Sequence, residues 1–219
     1  LSSPVVADGR LYVAAVEAHT VHALDARTGT HLWEYTTGGP VDSPPTVYGD
    51  TVIFGSADGY VYCVRAEDGE LVWRFRAAPC DQRLVWFDQL ESVWPVHGST
   101  LIQDDVLIVV AGRSMFLDGG IRLYHLNPRT GEILSRRVYD ERSAEEGGTI
   151  QDYSRQLNMP VALADILSTD GRYIYMRSQA FTMDGERLPL EALPYEGNPE
   201  TYSIPDTQDP QFLHLFSPT

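Results

Sequence analysis

Short runs of alternating apolar and polar residues, separated by Gly-containing turns, make up most of this chain. From Ser43 to Phe75 four such runs follow one another: SPPTVYGD, TVIFGS, YVYCVR and ELVWRF. The tripeptides ADG and EDG, which are typical of tight turns, stand before the third and the fourth run. The 3.6-residue period of an amphipathic helix is absent. The pattern therefore predicts four antiparallel strands joined by tight turns.

The pattern repeats after 40 residues without a gap. The coinciding residues are Ser3 and Ser43, Pro4 and Pro44, Gly9 and Gly49, Val21 and Val61, Ala26 and Ala66, Gly29 and Gly69, and Trp33 and Trp73. Four strands in a period of about 40 residues are typical of one blade of a β-propeller. The sequence therefore predicts an all-β fold made of four-stranded propeller blades.

A third repeat is less regular than the first two. Gly131 takes the position of Gly29, but Ser135 stands where the repeat has Trp, and His125 replaces the small Ala23. The link into this repeat carries about 15 extra residues, and the turn between its middle strands about seven. Both insertions therefore flank the third blade.

A fourth repeat begins between Ala162 and Phe181, with two strands around the Asp170–Gly171 turn. A closed ring needs at least four blades, so three blades and the start of a fourth do not close. We expect a partial propeller over residues 1–182 and an irregular Pro- and Glu-rich tail over residues 183–219. The chain is then a fragment of a larger protein, or it closes against another copy of itself, and its open blade edges should self-associate.

The segments ALDARTGTHLW and CVRAEDGELVW, each preceded by a Ser-Pro strand, resemble the repeat of pyrroloquinoline-quinone (PQQ) propellers, also called quinoprotein or tryptophan-docking propellers. The family includes quinoprotein alcohol dehydrogenases and the outer-membrane assembly scaffold BamB. The resemblance implies that Trp33 and Trp73 pack across to the neighbouring blade. It also implies a periplasmic or extracellular location.

Quinoprotein dehydrogenases hold PQQ on the propeller axis with a Ca²⁺ ion, an Asp base and often a disulfide between adjacent cysteines. Cys63 and Cys80 are not adjacent, and no residue here matches the calcium ligands by motif. No cofactor is therefore identifiable, and PQQ is not expected in this chain alone. The two cysteines are read as a buried residue and a loop thiol, with a disulfide between them as the alternative.

The charge of the chain limits the classes of molecule that it is expected to bind. The net charge is −15, and all 16 basic residues are Arg. Such an acidic surface repels phosphate backbones and anionic headgroups, which excludes nucleic acid and membrane surfaces as expected partners. No apolar run reaches the length of a membrane span. The partners left open are a protein, a saccharide or a small polar ligand.

The link from Cys80 to Ser99 and the turn from Arg113 to Gly120 hold the candidate site. Its predicted ligand-binding residues are Arg83, Trp86, Asp88, Glu91, Trp94, Arg113 and Asp118. One interpretation is a lid whose aromatic residues fill the gap left by the missing third Trp. The other is a polar site for a sugar stacked on Trp86 or Trp94, for a carboxylate, or for a cation held by carboxylates.

The two insertions are expected to meet on one face of the propeller, although the fold itself is not expected to guarantee that they lie on the same side. In this prediction Met115 and Phe116 pack on Trp86, Phe87 and Trp94, and Arg113 pairs with Asp88 or Glu91. A hydrolase using Asp88 and Glu91 is conceivable. The histidines show no metal-ligand spacing; they are His19, His22, His31, His97, His125 and His214.

The resulting expectation is a noncatalytic binding or scaffolding module of a larger extracytoplasmic bacterial protein. The alternative is part of a quinoprotein-like oxidoreductase or of a carbohydrate-active enzyme.

Overall fold

A computed structural model describes residues 1–140 and 162–188, apart from Phe116, Leu163 and Ser178. The first two repeats each form a four-stranded antiparallel sheet in which neighbouring strands follow chain order. The strands of the first sheet are β1 (Val5–Ala7), β2 (Arg10–Ala15), β3 (Thr20–Asp25) and β4 (His31–Thr36). Those of the second are β5 (Thr46–Tyr48), β6 (Thr51–Gly55), β7 (Tyr60–Arg65) and β8 (Leu71–Arg76). A 3-10 turn, Val16–Ala18, joins β2 to β3.

The link after the second sheet is not a plain loop but contains a two-stranded hairpin, β9 (Arg83–Trp86) and β10 (Gln89–Ser92). The third sheet consists of β11 (Leu101–Gln103), β12 (Val106–Ala111), β13 (Ile121–Leu126) and β14 (Ile133–Tyr139). The described part of the fourth has β15 (Leu167–Thr169), β16 (Tyr173–Met176) and β17 (Gln179–Thr182). These meanders confirm the predicted all-β propeller blades.

The pairing register repeats as the sequence predicts. Ala23 lies opposite Trp33 in the first sheet, Cys63 opposite Trp73 in the second, and His125 opposite Ser135 in the third. Beside each of these pairs lies the same bulge, in which one residue of the fourth strand has no partner in the third strand. The third sheet is therefore a true blade in which one small–large pair has been replaced by His and Ser.

Apolar residues fill the spaces between neighbouring blades. Tyr12 and Phe54 belong to the core between the first two blades, and Ile53 and Leu107 to the core between the second and third. A further core, which includes Leu123 and Phe181, joins the third and fourth blades. The fold is thus held together by sheet faces packed against each other, as in a ring of blades.

Indole side chains cross these interfaces. The Trp33 Nε1–H donates to the carbonyl of Ala66, at 2.9 Å, and the ring covers Gly69 of the second blade. Trp73 repeats the arrangement with the carbonyl of Pro128, at 3.1 Å, and with Gly131, although it is only half-buried. The family-based expectation for the two indoles agrees with this geometry.

A cleft of about 490 Å³ opens where the third blade lacks Trp. Ser135 and His125 line it and are hydrogen-bonded to each other at 2.8 Å. The residues that line it come from the third and fourth blades and not from the Cys80–Ser99 link. The idea that the link aromatics fill this gap is therefore wrong, because the link lies at another part of the blade.

Residues 183–188 still pair with the fourth sheet, since Arg187 forms a bridge to Phe181. The predicted boundary at residue 182 stays a prediction, because residues 189–219 lie outside the described part. Cys63 is buried and Cys80 exposed, and both are free thiols, so the alternative of a disulfide is wrong. Within the described residues no helix has the length and apolar character needed to cross a bilayer.

Candidate functional site

The two insertions meet at one end of the blades, which we call the link end. It carries the connections between the second and third strands of each sheet and the links from one sheet to the next. In a four-stranded antiparallel meander these connections lie at the same end, because each strand reverses direction. The expectation that the fold does not guarantee a shared side was therefore wrong, because the strand order of the meander places both insertions at the link end.

The β9–β10 hairpin presents apolar side chains at the link end. Its two-residue turn, Phe87–Asp88, has positive φ at both positions, +45° and +62°. Phe87 is 86% exposed and Trp86 48% exposed, with their rings edge to face at 5.2 Å. Val85 and Leu90 are exposed as well. These four exposed apolar side chains, which we call the patch, cover both faces and the turn of the hairpin, since Val85 pairs with Leu90 whereas Trp86 pairs with Gln89. Exposed apolar groups of this size are typical of an interaction surface.

Three blades brace this hairpin. The Ser92 N–H donates to the carbonyl of Ala57 in the second blade, at 2.7 Å. His19 of the first blade is hydrogen-bonded to Gln89, at 2.9 Å between Nε2 and Oε1. From the third blade, Arg113 places its guanidinium 5.0 Å from the centre of the Trp86 ring. These contacts from three blades hold the hairpin, and with it the patch, in a fixed position.

A polar cluster lies beneath the hairpin. Glu91, only 5% exposed, accepts a 2.5 Å hydrogen bond from Nη2 of Arg113. The same Nη2 donates to the carbonyl of Ser92, at 3.3 Å, and Nη1 lies 3.4 Å from Nε2 of His97. The other ring nitrogen of His97 is hydrogen-bonded to Asp42. Because the buried Glu91 carboxylate is paired with a guanidinium, the cluster positions the hairpin while its charges offset each other.

The structure brings only part of the predicted site together. Arg113 contacts both Glu91 and Trp86. Trp94 is buried, with its Nε1–H donating to the carbonyl of Asp118 at 2.7 Å and Arg122 over its ring. The indole of Trp94 is thus a structural link between the two insertions rather than an exposed stacking surface for a sugar.

Other predicted residues lie apart from the cluster. Arg83 pairs with Asp81, at 3.1 Å, and Asp88 is exposed in the hairpin turn. Asp88 lies in solvent whereas Glu91 is buried under Arg113, so the geometry does not favour a two-carboxylate hydrolase. A cation site built on Asp88, Glu91 and Asp118 gains no support, since Arg113 already neutralises Glu91.

The prediction that Met115 packs on the tryptophans of the link was wrong. Met115 is fully buried in the core between the third and fourth blades, because the inserted turn folds its side chain inward. Phe116 lies outside the described residues. Arg113 supplies the contact with Trp86 instead, through its guanidinium.

Asp42 and His97 were not recognised from the sequence as members of the cluster. Both follow the last strand of one blade and precede the first strand of the next, and the meander places such links at the link end. Their position relative to the strands could have identified them. Their spacing could not, since 55 residues separate them.

Two other groups of side chains bear on possible catalysis or metal binding. Burial raises the pKa of the Cys63 thiol to about 11, so the thiol is not a nucleophile near neutral pH. The histidine spacing in the sequence indicates no metal site, yet the β3–β4 hairpin brings the ligand atoms of His22, His31 and Glu34 within 4.8 Å of one another. This group lies on the first blade, away from the hairpin.

Four-stranded antiparallel meanders packed face to face define the chain as part of a β-propeller. The family model described as outer membrane protein assembly factor BamB matches residues 1–179. The chain therefore belongs to this PQQ-type β-propeller family.

The curated relatives include quinoprotein dehydrogenases and an outer membrane protein assembly factor. The quinoprotein alcohol dehydrogenase PedH of Pseudomonas putida is 30% identical over 166 residues, which cover 67% of this chain and 26% of that protein. The outer membrane protein assembly factor BamB of Moranella endobia is 35% identical over 74 residues, 33% of this chain and 19% of that protein. The chain spans about a quarter of the length of relatives such as PedH.

Solved structures agree on the fold. The quinohemoprotein alcohol dehydrogenase of Comamonas testosteroni superposes with a TM-score of 0.63 at 17% identity, covering 86% of this chain and 34% of that one. BamB of Moraxella catarrhalis gives a TM-score of 0.52 at 17% identity, covering 86% and 63%.

The described residues at the link end do not fit PQQ with its calcium ion. Among them no group of three His, Cys, Asp or Glu ligand atoms converges there. Glu91 is taken by Arg113, and Asp58 accepts hydrogen bonds from Tyr62 Oη and, at 2.9 Å, from the Gly38 N–H. No reaction step is therefore assigned to PQQ in this chain.

Proposed function

We propose that this chain is a noncatalytic binding module, which captures an extended segment of a partner protein on the β9–β10 hairpin. The exposed apolar patch of Val85, Trp86, Phe87 and Leu90 is the observation that carries the proposal. In the described structure the hairpin belongs to no larger sheet. The outer edge of β9 is therefore open to pairing with an added strand, whereas on β10 the Ser92 N–H already donates to Ala57.

The hairpin turn supports this proposal. A bulky residue at positive φ is unfavourable, and Phe87 adopts φ +45° while its ring stands in solvent. Neither the fold nor the core uses this ring. Backbone strain of this kind is often found at residues that contact a ligand.

Charge indicates the chemistry of the partner. The net charge is −15, and Asp81 and Asp88 are exposed beside the patch. An acidic surface with apolar anchors favours a segment that alternates apolar and basic residues. The family model named for an outer membrane protein assembly factor supports a protein partner, and an extracytoplasmic location, for this chain.

A peptide selection tests the proposal. The protein is presented to a displayed library of random peptides, and the enriched peptides are titrated against variants. The Trp86→Ser/Phe87→Asn variant removes both rings while Asn suits the positive φ, so the turn should keep its structure. We expect at least a tenfold loss of affinity. Ile166→Ser, which removes an exposed apolar residue elsewhere, should bind as the parent does.

Enriched peptides that bind the double variant as tightly as the parent would refute the proposed surface. A library that yields no specific peptide would count against a peptide-binding function altogether.

The identity with PedH favours a second candidate, a part of a quinoprotein-like oxidoreductase. In that case the remainder of the protein supplies the cofactor ligands. Dye-linked alcohol oxidation by the full-length protein, loaded with PQQ and Ca²⁺, would support this candidate, whereas the peptide selection would not.

A further inference from the structure

Three potential metal ligands converge on the outer two strands of the first blade. The Nδ1 atom of His22 lies 3.5 Å from Nε2 of His31 and 3.5 Å from Oε2 of Glu34. The remaining distance, between Nε2 of His31 and Oε2 of Glu34, is 3.6 Å. His22 lies opposite Glu34 across the β3–β4 pair, and His31 pairs with Leu24 beyond the bulge. The register therefore fixes all three side chains near one point.

These separations suit one tetrahedral metal ion. Zinc binds His nitrogen and carboxylate oxygen at about 2.0–2.2 Å, which places neighbouring ligand atoms of a tetrahedron about 3.3–3.6 Å apart. Two imidazoles and one carboxylate are borderline ligands, which favour Zn²⁺ and its transition-metal neighbours over Ca²⁺ and Mg²⁺. Three protein ligands leave the fourth position to water.

The other blades provide an internal comparison. The same register positions hold Tyr62, Leu71 and Arg74 in the second blade, and Tyr124, Ile133 and Arg136 in the third. All three positions thus carry ligand side chains in the first blade and none in the next two. Three coordinated differences at one spot are not expected from the needs of a blade, which the second and third blades meet without them.

We propose that His22, His31 and Glu34 bind one Zn²⁺ ion, with water as the fourth ligand. The ion joins the two outer strands of the first blade. It replaces the contact between the two imidazoles and the carboxylate with coordinate bonds. The site is separate from the hairpin at the link end and does not depend on the proposed function.

Calorimetric titration with ZnCl₂, in a buffer that does not bind metals, tests the site on the whole chain. We expect one Zn²⁺ per chain. Replacing the trio with the residues of the second blade, as His22→Tyr, His31→Leu and Glu34→Arg together, should weaken binding at least tenfold. These residues already occur at the same positions of a folded blade, so the variant should fold, as circular dichroism would show.

A matched control removes a histidine outside the trio. His19→Asn suits the positive φ of that position, +56°, and should leave the zinc affinity unchanged. Cobalt substitution gives a second readout, since Co²⁺ in a tetrahedral site absorbs strongly in the visible range. Loss of that absorption in the triple variant, and its retention in His19→Asn, would support the assignment.

Two results would overturn the proposal. One is the absence of stoichiometric zinc binding by the parent. The other is zinc binding of equal affinity in the triple variant, which would place the ion on other residues.

Discussion

Gly69 of the second blade lies directly against the indole of Trp33 in the first, so that a Cβ atom at Gly69 would stand 2.7 Å from Cε3 of the ring. Gly29 has almost the same backbone angle, φ +72° against +76°, but no atom within 4 Å of such a Cβ. Gly29 is therefore required only for its left-handed backbone angle, whereas Gly69 is also required because a side chain there would meet the indole.

Gly69→Ala should accordingly destabilise the protein more than Gly29→Ala. Both changes carry a left-handed strain of about 1–2 kcal/mol. At Gly69 the indole must also move, which adds about 1–3 kcal/mol. Urea unfolding of both variants measures the difference. Equal losses would show that the indole yields freely and that its close packing contributes little.

Trp33→Ala should lower the free energy of unfolding by about 3–5 kcal/mol, because it empties a buried site and leaves the Ala66 carbonyl without its donor. Trp73→Ala should cost less, since that indole is half-buried. The repeat register alone predicts a loss of about 3–5 kcal/mol for Trp73→Ala. Thermal and urea unfolding would rank the two, and the reverse order would contradict the observed burial.

The His125–Ser135 pair should show strong coupling. Ser135→Trp alone forces an indole against His125 and should cost about 1–3 kcal/mol. Combined with His125→Ala it recreates the Ala23–Trp33 pair beside the cleft of about 490 Å³. The double variant should then be more stable than the sum of the two single changes predicts. Strict additivity would mean that the cleft cannot accept the ring.

His125 also makes stability depend on pH. Burial lowers the pKa of this imidazole below its usual value near 6.5, against opposing effects of the Met183 backbone and Asp184. The unfolded chain thus binds the proton more tightly than the folded chain does. The contribution is full above about pH 6.5 and is lost as the pH falls towards the folded pKa. His125→Gln should show a smaller loss of stability between about pH 7.5 and 5.5 than the parent.

Arg113→Met should cost about 3–5 kcal/mol, because it removes the guanidinium that pairs with the buried Glu91 carboxylate and leaves only the His97 imidazole, 3.6 Å away, beside it. Adding Glu91→Gln should recover most of this loss. The comparison is made by urea unfolding of the single and double variants. If the single variant is as stable as the parent, the charge pair does not brace the hairpin.

The fold was largely predictable because the first two repeats share one register, and each strand then follows from the Gly-containing turns around it. The hairpin was not recognised because its turn residues, Phe87 and Asp88, differ from the Asn-Gly and Asp-Gly pairs that usually mark such a turn. The metal ligands were overlooked for a related reason. His22 and His31 are nine residues apart, and only the bulged pairing of β3 with β4 brings them together.

The most direct measurement of the proposed function is amide hydrogen exchange of the protein with and without a selected peptide. The account predicts new protection in β9 of the hairpin, residues Arg83–Trp86, since an added strand bonds its open outer edge. The strands of the first blade should exchange as before. Protection elsewhere with an unchanged hairpin would contradict the account.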